Sequence, residues 1–127
     1  MIEEGRALFL QIAESVEDSI VDGSLPEGDR APSTNELAAF YRINPATAAK
    51  GVSMLVDKGV LTKRRGIGMF VAEGARAQLL AERRSAFADR FIQPLLAEAR
   101  TLGLTPDELA ELVRARAAST TSEGNAR

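Results

Sequence analysis

The stretch Pro32-Ser33-Thr34-Asn35-Glu36-Leu37-Ala38-Ala39-Phe40-Tyr41-Arg42-Ile43-Asn44-Pro45-Ala46-Thr47-Ala48-Ala49-Lys50-Gly51-Val52 decides how the whole chain is read. Ser33 followed by Glu36 is a capping box, which opens a short helix over Leu37, Ala38 and Phe40 that closes at Tyr41-Arg42-Ile43. Asn44 offers a side-chain oxygen as a second cap, and Pro45 occupies a first helical position, where the N–H it lacks has no intrahelical use. From there Ala48, Val52, Leu55 and Val56 share one face, while Ala46, Thr47 and Lys50 point elsewhere. Two helices joined by so short a turn form a helix-turn-helix. Gly59 ends the second helix. Two strands follow, over residues 60–64 and 69–71, around Arg65-Gly66-Ile67-Gly68, and this hairpin reads as a wing.

The outer face of the second helix is small, polar and cationic, so it does not obstruct a groove, and the hairpin carries Lys63, Arg64 and Arg65 near its tip. A reader of the DNA major groove needs such a helix, and a phosphate binder needs such a tip. The same local pattern also occurs in proteins that never touch nucleic acid, so charge distribution has to be weighed beside it. The net charge of −2 argues against a polyanionic partner, but it is unevenly spread. Residues 1–41 hold two basic groups against nine acidic, residues 42–76 hold seven basic against two acidic, and residues 77–127 balance at seven each. What steers a duplex is the field of one face, and the cations gather where the reading helix and wing lie.

The chain has 127 residues, enough for one domain with a small appendage, and its apolar share of 45% supports a core. With no cysteine and no histidine it lacks disulfides, thiol nucleophiles, imidazole bases and any metal site built on nitrogen or sulfur ligands. No metal and no cofactor is expected. The acidic start Met1-Ile2-Glu3-Glu4 lacks the pattern of a leader, and no run of 18 apolar residues occurs, so a cytoplasmic protein without membrane partners is expected.

Upstream, Leu8, Ile12, Val16 and Ile20 form one stripe of a helix over residues 7–21 that stops at Asp22-Gly23. Residues 24–32 carry two prolines and a glycine and read as a connector with a turn at Pro26 to Gly28, its acids forming a solvated rim. Downstream, Leu80, Phe87, Phe91, Leu95, Ala99 and Leu102 recur at helical spacing in a long amphipathic segment. Pro94 interrupts it and predicts a kink or two consecutive helices. After Gly103, Thr105-Pro106-Asp107-Glu108 caps a last helix with Leu109, Leu112 and Val113 as its apolar face, and residues 119–127 read as disordered. The apolar surface of these two helices exceeds what they can bury against each other. A second copy of the chain is the economical cover, with Leu80, Phe87, Phe91, Leu95, Leu102, Leu109, Leu112 and Val113 at the interface. The expected architecture is mainly α: a winged helix-turn-helix over residues 1–74, a helical dimerisation region over 75–118 and a disordered tail over 119–127.

The motifs Leu25-Pro26-Glu27-Gly28-Asp29-Arg30, Pro32-Ser33-x-x-Glu36-Leu37-Ala38, Ile43-Asn44-Pro45-x-Thr47, Leu55-x-x-x-Gly59-Val60-Leu61 and Arg65-Gly66-x-Gly68-x-Phe70-Val71 together resemble the GntR family of bacterial transcription regulators. The Asn44-Pro45 helix start and a short tail carrying Gly103-Leu104-Thr105-Pro106-Asp107-Glu108-Leu109 are similar to its YtrA subfamily, whose members replace a large effector domain by a short helical dimerisation region. The resemblance implies a homodimer that binds an inverted-repeat operator in double-stranded DNA and represses neighbouring genes. It also implies contacts from Ser33, Thr34 and Asn35, from Asn44, Pro45, Ala46, Thr47 and Lys50, and from Lys63, Arg64, Arg65 and Gly66. Asn35 stands where arginine is frequent, and Ala49 stands where many members carry a base-reading arginine. Each bidentate base contact is worth about 1–3 kcal/mol of discrimination, so specificity is expected to lean on Lys50, Asn44 and DNA shape.

No other constellation supports chemistry. Gly66-x-Gly68 lacks the third glycine and the following helix of a nucleotide-binding loop, and the acid pairs Glu17-Asp18 and Asp107-Glu108 sit near helix ends. An enzyme is therefore not expected. The alternative from another class is a winged-helix module that recruits a protein partner without reading an operator. The tail reveals no pocket for a small-molecule effector, whose expected place is the seam between winged helix and C-terminal helices.

Overall fold

The computed structural model describes residues 6–125, with side chains through residue 120. It divides after Glu82 into two compact units, each taken by itself below.

The first unit is built on α1 (Leu8–Val21), α2 (Thr34–Tyr41) and α3 (Pro45–Asp57). Helix α1 turns Ile12, Ala13, Val16 and Ile20 inward at three- and four-residue spacing, and none is more than 5% exposed. It ends at Gly23, which takes φ +88°, with the Leu25 N–H donating to the Ser19 carbonyl at 2.9 Å. The capping box of α2 forms in full: Glu36 N–H donates to Ser33 Oγ at 3.0 Å, and Ser33 N–H donates to Glu36 Oε1 at 2.9 Å. Helix α2 closes on Arg42 in the left-handed region at φ 55°, and the hydroxyls of Tyr41 and Ser15 bond to tie α2 to α1. Asn44 Oδ1 accepts the Ala46 N–H at 2.8 Å and starts α3, which buries Ala48, Val52 and Leu55. Gly51 faces inward with them.

The wing pairs β1 (Leu61–Arg64) with β2 (Gly68–Val71) in antiparallel register, Leu61 opposite Val71 and Arg64 opposite Gly68. Both Leu61 and Val71 reach the core. The connector does more than turn. After a turn closed by Asp29 N–H donating to the Pro26 carbonyl at 3.1 Å, residues 28–31 run along the outer edge of β2. Gly28 N–H donates to Val71 O and Val71 N–H to Asp29 O, both at 2.9 Å, and Ala31 N–H donates to Met69 O at 2.8 Å. Without them the outer backbone groups of β2 would lack protein partners.

Helix α4 (Ala75–Phe87) begins inside this unit, because Ala75 and Leu79 belong to the same core as α1 and α3. The compact unit runs on past the expected winged-helix boundary at residue 74 to Glu82, whose carboxylate lies 2.6 Å from Lys58 Nζ, as does that of Glu17. Glu27 holds the start of α4. Its two carboxylate oxygens accept from the N–H groups of Gly74 at 2.9 Å and Arg76 at 3.1 Å, while Arg76 Nε donates to the Val21 carbonyl at 2.9 Å. The Gly74 N–H, then the Arg76 N–H, hold the Glu27 carboxyl below its usual range. A depressed carboxyl contributes stability that is fully present above its unfolded pKa and is lost as pH falls through its folded value. The Tm of Glu27→Ala should therefore lie below that of the parent at pH 7, and the gap should close on acidification below the ordinary carboxylate range. Parallel thermal melts across pH check this, and a gap independent of pH would contradict the capping role.

In the second unit the end of α4 continues through a π-helical turn (Ala88–Ile92) into α5 (Gln93–Thr101). Gln93 N–H donates to the Ala88 carbonyl five residues back, so the backbone meets the Pro94 problem by widening one turn while φ and ψ stay helical. Gly103, at φ +76°, ends α5, and α6 (Pro106–Asn125) starts from a second capping box: Glu108 N–H donates to Thr105 Oγ1 at 3.1 Å, and Thr105 N–H to Glu108 Oε1 at 2.9 Å. Helix α6 continues through Asn125, past Ser119, where the sequence places the start of the tail. Once nucleated, a helix adds one hydrogen bond per residue. Ala126 and Arg127 lie outside the described residues.

Candidate nucleic-acid interface

Three local devices present the polar residues of the first unit. The Ser33 cap leaves Ser33 and Thr34 half-buried and Asn35 exposed at the start of α2. The Asn44 cap sets the first turns of α3, with Asn44, Pro45, Ala46 and Lys50 exposed and Thr47 and Ala49 half-buried. The hairpin exposes Lys63, Arg64, Arg65 and Gly66, the last at φ +76°, where glycine lets a tight tip form.

Two of these cations rest on rings. Lys50 Nζ lies 4.0 Å from the centroid of Phe9 in α1, and Arg64 Cζ lies 4.2 Å from that of Phe70 in β2. Such contacts limit the rotamers of long side chains without neutralising them. Asn44 Oδ1 is already occupied by its cap, which leaves the amide NH2 as the group free to donate.

The start of α2 and the wing line one groove of 340 Å³, which gathers Ser33, Thr34 and Asn35 with Lys63, Arg64 and Gly66. Arg65 and the α3 set from Asn44 to Lys50 are not among its lining residues. The groove also takes in Arg30, Ile67, Gly68 and Met69, which sequence reasoning did not place at the site. Among the described residues no cluster of His, Cys, Asp and Glu could hold a metal ion, and no helix is long and apolar enough to cross a membrane. The arrangement carries hydroxyls, amides and cations and no paired acid and base, which suits binding an anionic polymer.

Residues 8–71, from the first residue of α1 to the last of β2, match the bacterial regulatory proteins of the gntR family. The chain belongs to the GntR family. Among its relatives, the HTH-type transcriptional regulator YhcF of Bacillus subtilis is 29% identical over 112 residues, covering 88% of this chain and 91% of the relative. The HTH-type transcriptional repressor YtrA of the same organism is 26% identical over 107 residues, covering 84% and 82%. A solved GntR-family regulator from Bacteroides thetaiotaomicron superposes with a TM-score of 0.74 at 29% identity, over 90% of this chain and 99% of its own. This GntR protein is thus a DNA-binding transcriptional regulator and not an enzyme, with a winged helix followed by helices.

Two residues of this GntR regulator were missed for one reason: Phe9 and Arg30 act on the site from other segments, and only the packing of α1 on α3 and the pairing of residues 28–31 with β2 bring them there. Phe70 lies in the wing itself, and the hairpin register sets its ring under Arg64. For Arg30 the available signal was a cation three residues before a helix cap, inside an otherwise acidic connector.

Proposed function

We propose that the chain is a homodimeric repressor that binds an inverted-repeat operator. Each protomer supplies one α3 to the major groove, with Asn44, Pro45, Ala46, Thr47 and Lys50 facing the bases, while Lys63, Arg64, Arg65 and Gly66 of the wing, with Ser33, Thr34 and Asn35, hold the backbone. Repression is read from the relative YtrA, a transcriptional repressor. The observation that carries the reading is the exposed cationic wing beside a capped helix whose outer face is small. One winged helix per chain makes a twofold pair of half-sites natural, their centres one helical turn of about 10–10.5 bp, or a multiple of it, apart.

The test uses a duplex recovered from a random library by in vitro selection. Arg64→Ala combined with Arg65→Ala should flatten the salt dependence by about 1.8 in log–log slope, on selected and random duplexes alike. Lys50→Ala should compress the preference for the selected duplex by about 5- to 150-fold, equivalent to about 1–3 kcal/mol. An unchanged salt slope in the double variant rules out the wing as a phosphate contact.

A further inference from the structure

We propose that Arg30 is a DNA-phosphate contact, held ready by the wing across the open face of Gly68; the proposal rests on the DNA-binding reading above. Residue 30 bridges Phe70 in antiparallel fashion, so residues 28–31 make a third strand beside β2. Directly opposed residues on adjacent strands share a face, and alternate residues of one strand share it too. Arg30, Phe70 and Thr62 therefore stand in one row, and Gly68 and Arg64 in the next row of the same face. The two arginines flank β2 and reach along opposite diagonals: Arg64 lies over the Phe70 ring, and Arg30 lies over Gly68. A Cβ on Gly68 would come within 2.9 Å of Arg30 Nε, so the bare backbone makes the bed for the guanidinium.

Both arginines, with Lys63, line the groove that opens at Ser33, Thr34 and Asn35, and no carboxylate is among its lining residues. The acid that feels Arg30, Glu36, has an oxygen engaged by the Ser33 N–H at 2.9 Å. Arg30 is exposed, and its donors meet no protein acceptor within hydrogen-bond distance among the described residues. Like charges gathered in a groove that no carboxylate lines, beside two hydroxyls and an amide, suit an anion, and a phosphate accepts from a guanidinium in two parallel bonds. This extends the phosphate-binding surface from the wing tip to the third strand and places Arg30 between wing and α2.

The experiment measures binding of the full chain to the selected duplex and to a random duplex of equal length, between 0.05 and 0.5 M salt. Arg30→Gln should lower the log–log salt slope by about 0.9 and weaken binding about eightfold at 0.1 M salt, equally on both duplexes. Arg30→Lys, which keeps the charge, should retain the slope, and matching Tm values for both variants exclude misfolding. If Arg30→Gln leaves the slope intact while the Arg64→Ala, Arg65→Ala double variant lowers it, the Arg30 assignment falls and the DNA-binding reading stands. If neither variant changes the slope, both fall. A loss confined to the selected duplex would make Arg30 a base reader and overturn its assignment to phosphate.

Discussion

Replacing Gly51 by alanine should destabilise the winged helix, although alanine is the better helix former. On an open helix surface the change would gain about 1 kcal/mol. Here α1 crosses α3 so closely that a Cβ on residue 51 would sit 2.7 Å from the Phe9 carbonyl oxygen and 3.4 Å from Ile12 Cβ. The first of these contacts is with backbone, so no rotamer change relieves it and the helices must separate. Forcing extra volume into a packed interior costs about 1–3 kcal/mol, and here the separation also disturbs Ile12, Val16, Val52 and Leu55 on the same seam. The backbone contact outweighs the propensity gain, and a net loss of about 1–2 kcal/mol is expected, which in a unit of this size lowers Tm by roughly 4–16 °C. Gly51→Val, with two further methyl groups and no propensity advantage over alanine, should lose more. Ser53→Ala, at an exposed position of the same helix, should change little. Circular dichroism melts of the three variants check the series, and a Tm that rises for Gly51→Ala would mean that α1 and α3 do not approach as described. DNA affinity should fall with the same substitution, because α1 is the shelf on which α3 and, through Phe9, Lys50 are set.

What the sequence made legible was local. The caps at Ser33, Asn44 and Thr105 are written in adjacent residues, and each forms the bonds its pattern implies. Helix α3 and the hairpin follow from those caps and from Gly59 and Gly66. What was not legible depends on residues distant along the chain. Gly51 reads as a weak point in a helix, and only the passage of Phe9 across it turns it into a close approach. Residues 28–31 show no strand alternation, yet the free edge of β2 recruits them, and Arg30 joins the groove as a result. Pro94 signalled a disturbance without saying which kind, since a kink, a break and a π turn all accommodate a missing N–H.

Phe91→Asp is expected to dissociate the proposed dimer while leaving each winged helix folded. Phe87, Phe91, Leu95, Leu102, Leu112 and Val113 are between 41% and 65% exposed in the single chain, and Leu80 and Leu109 are half-buried. The rings of Phe87 and Phe91 stand 5.5 Å apart, with the Arg90 guanidinium 5.0 Å from the Phe91 centroid, so the pair forms a ready apolar anchor with a cation at its rim. Full burial of one such side chain is worth about 1.5–3 kcal/mol. Phe91 is already half-buried in the single chain, so the dimer covers about half of that per copy, and with each residue occurring twice its loss removes about 1.5–3 kcal/mol, before the cost of desolvating two carboxylates is added. That corresponds to a dimer dissociation constant weaker by about one to two orders of magnitude. Phe91→Leu, which keeps most of the apolar surface, should shift it far less. Because Phe91 is half exposed in the monomer, its replacement leaves no cavity, and the Tm of the winged helix should hold. Sedimentation equilibrium at micromolar concentration reads the first effect. Binding to duplexes with one or two half-sites reads the second: Phe91→Asp should abolish the advantage of the second half-site and spare affinity for a single one. A dimer that survives both Phe91→Asp and Phe87→Asp would place the contact between copies on another surface, and the inverted-repeat geometry would have to be rebuilt from there.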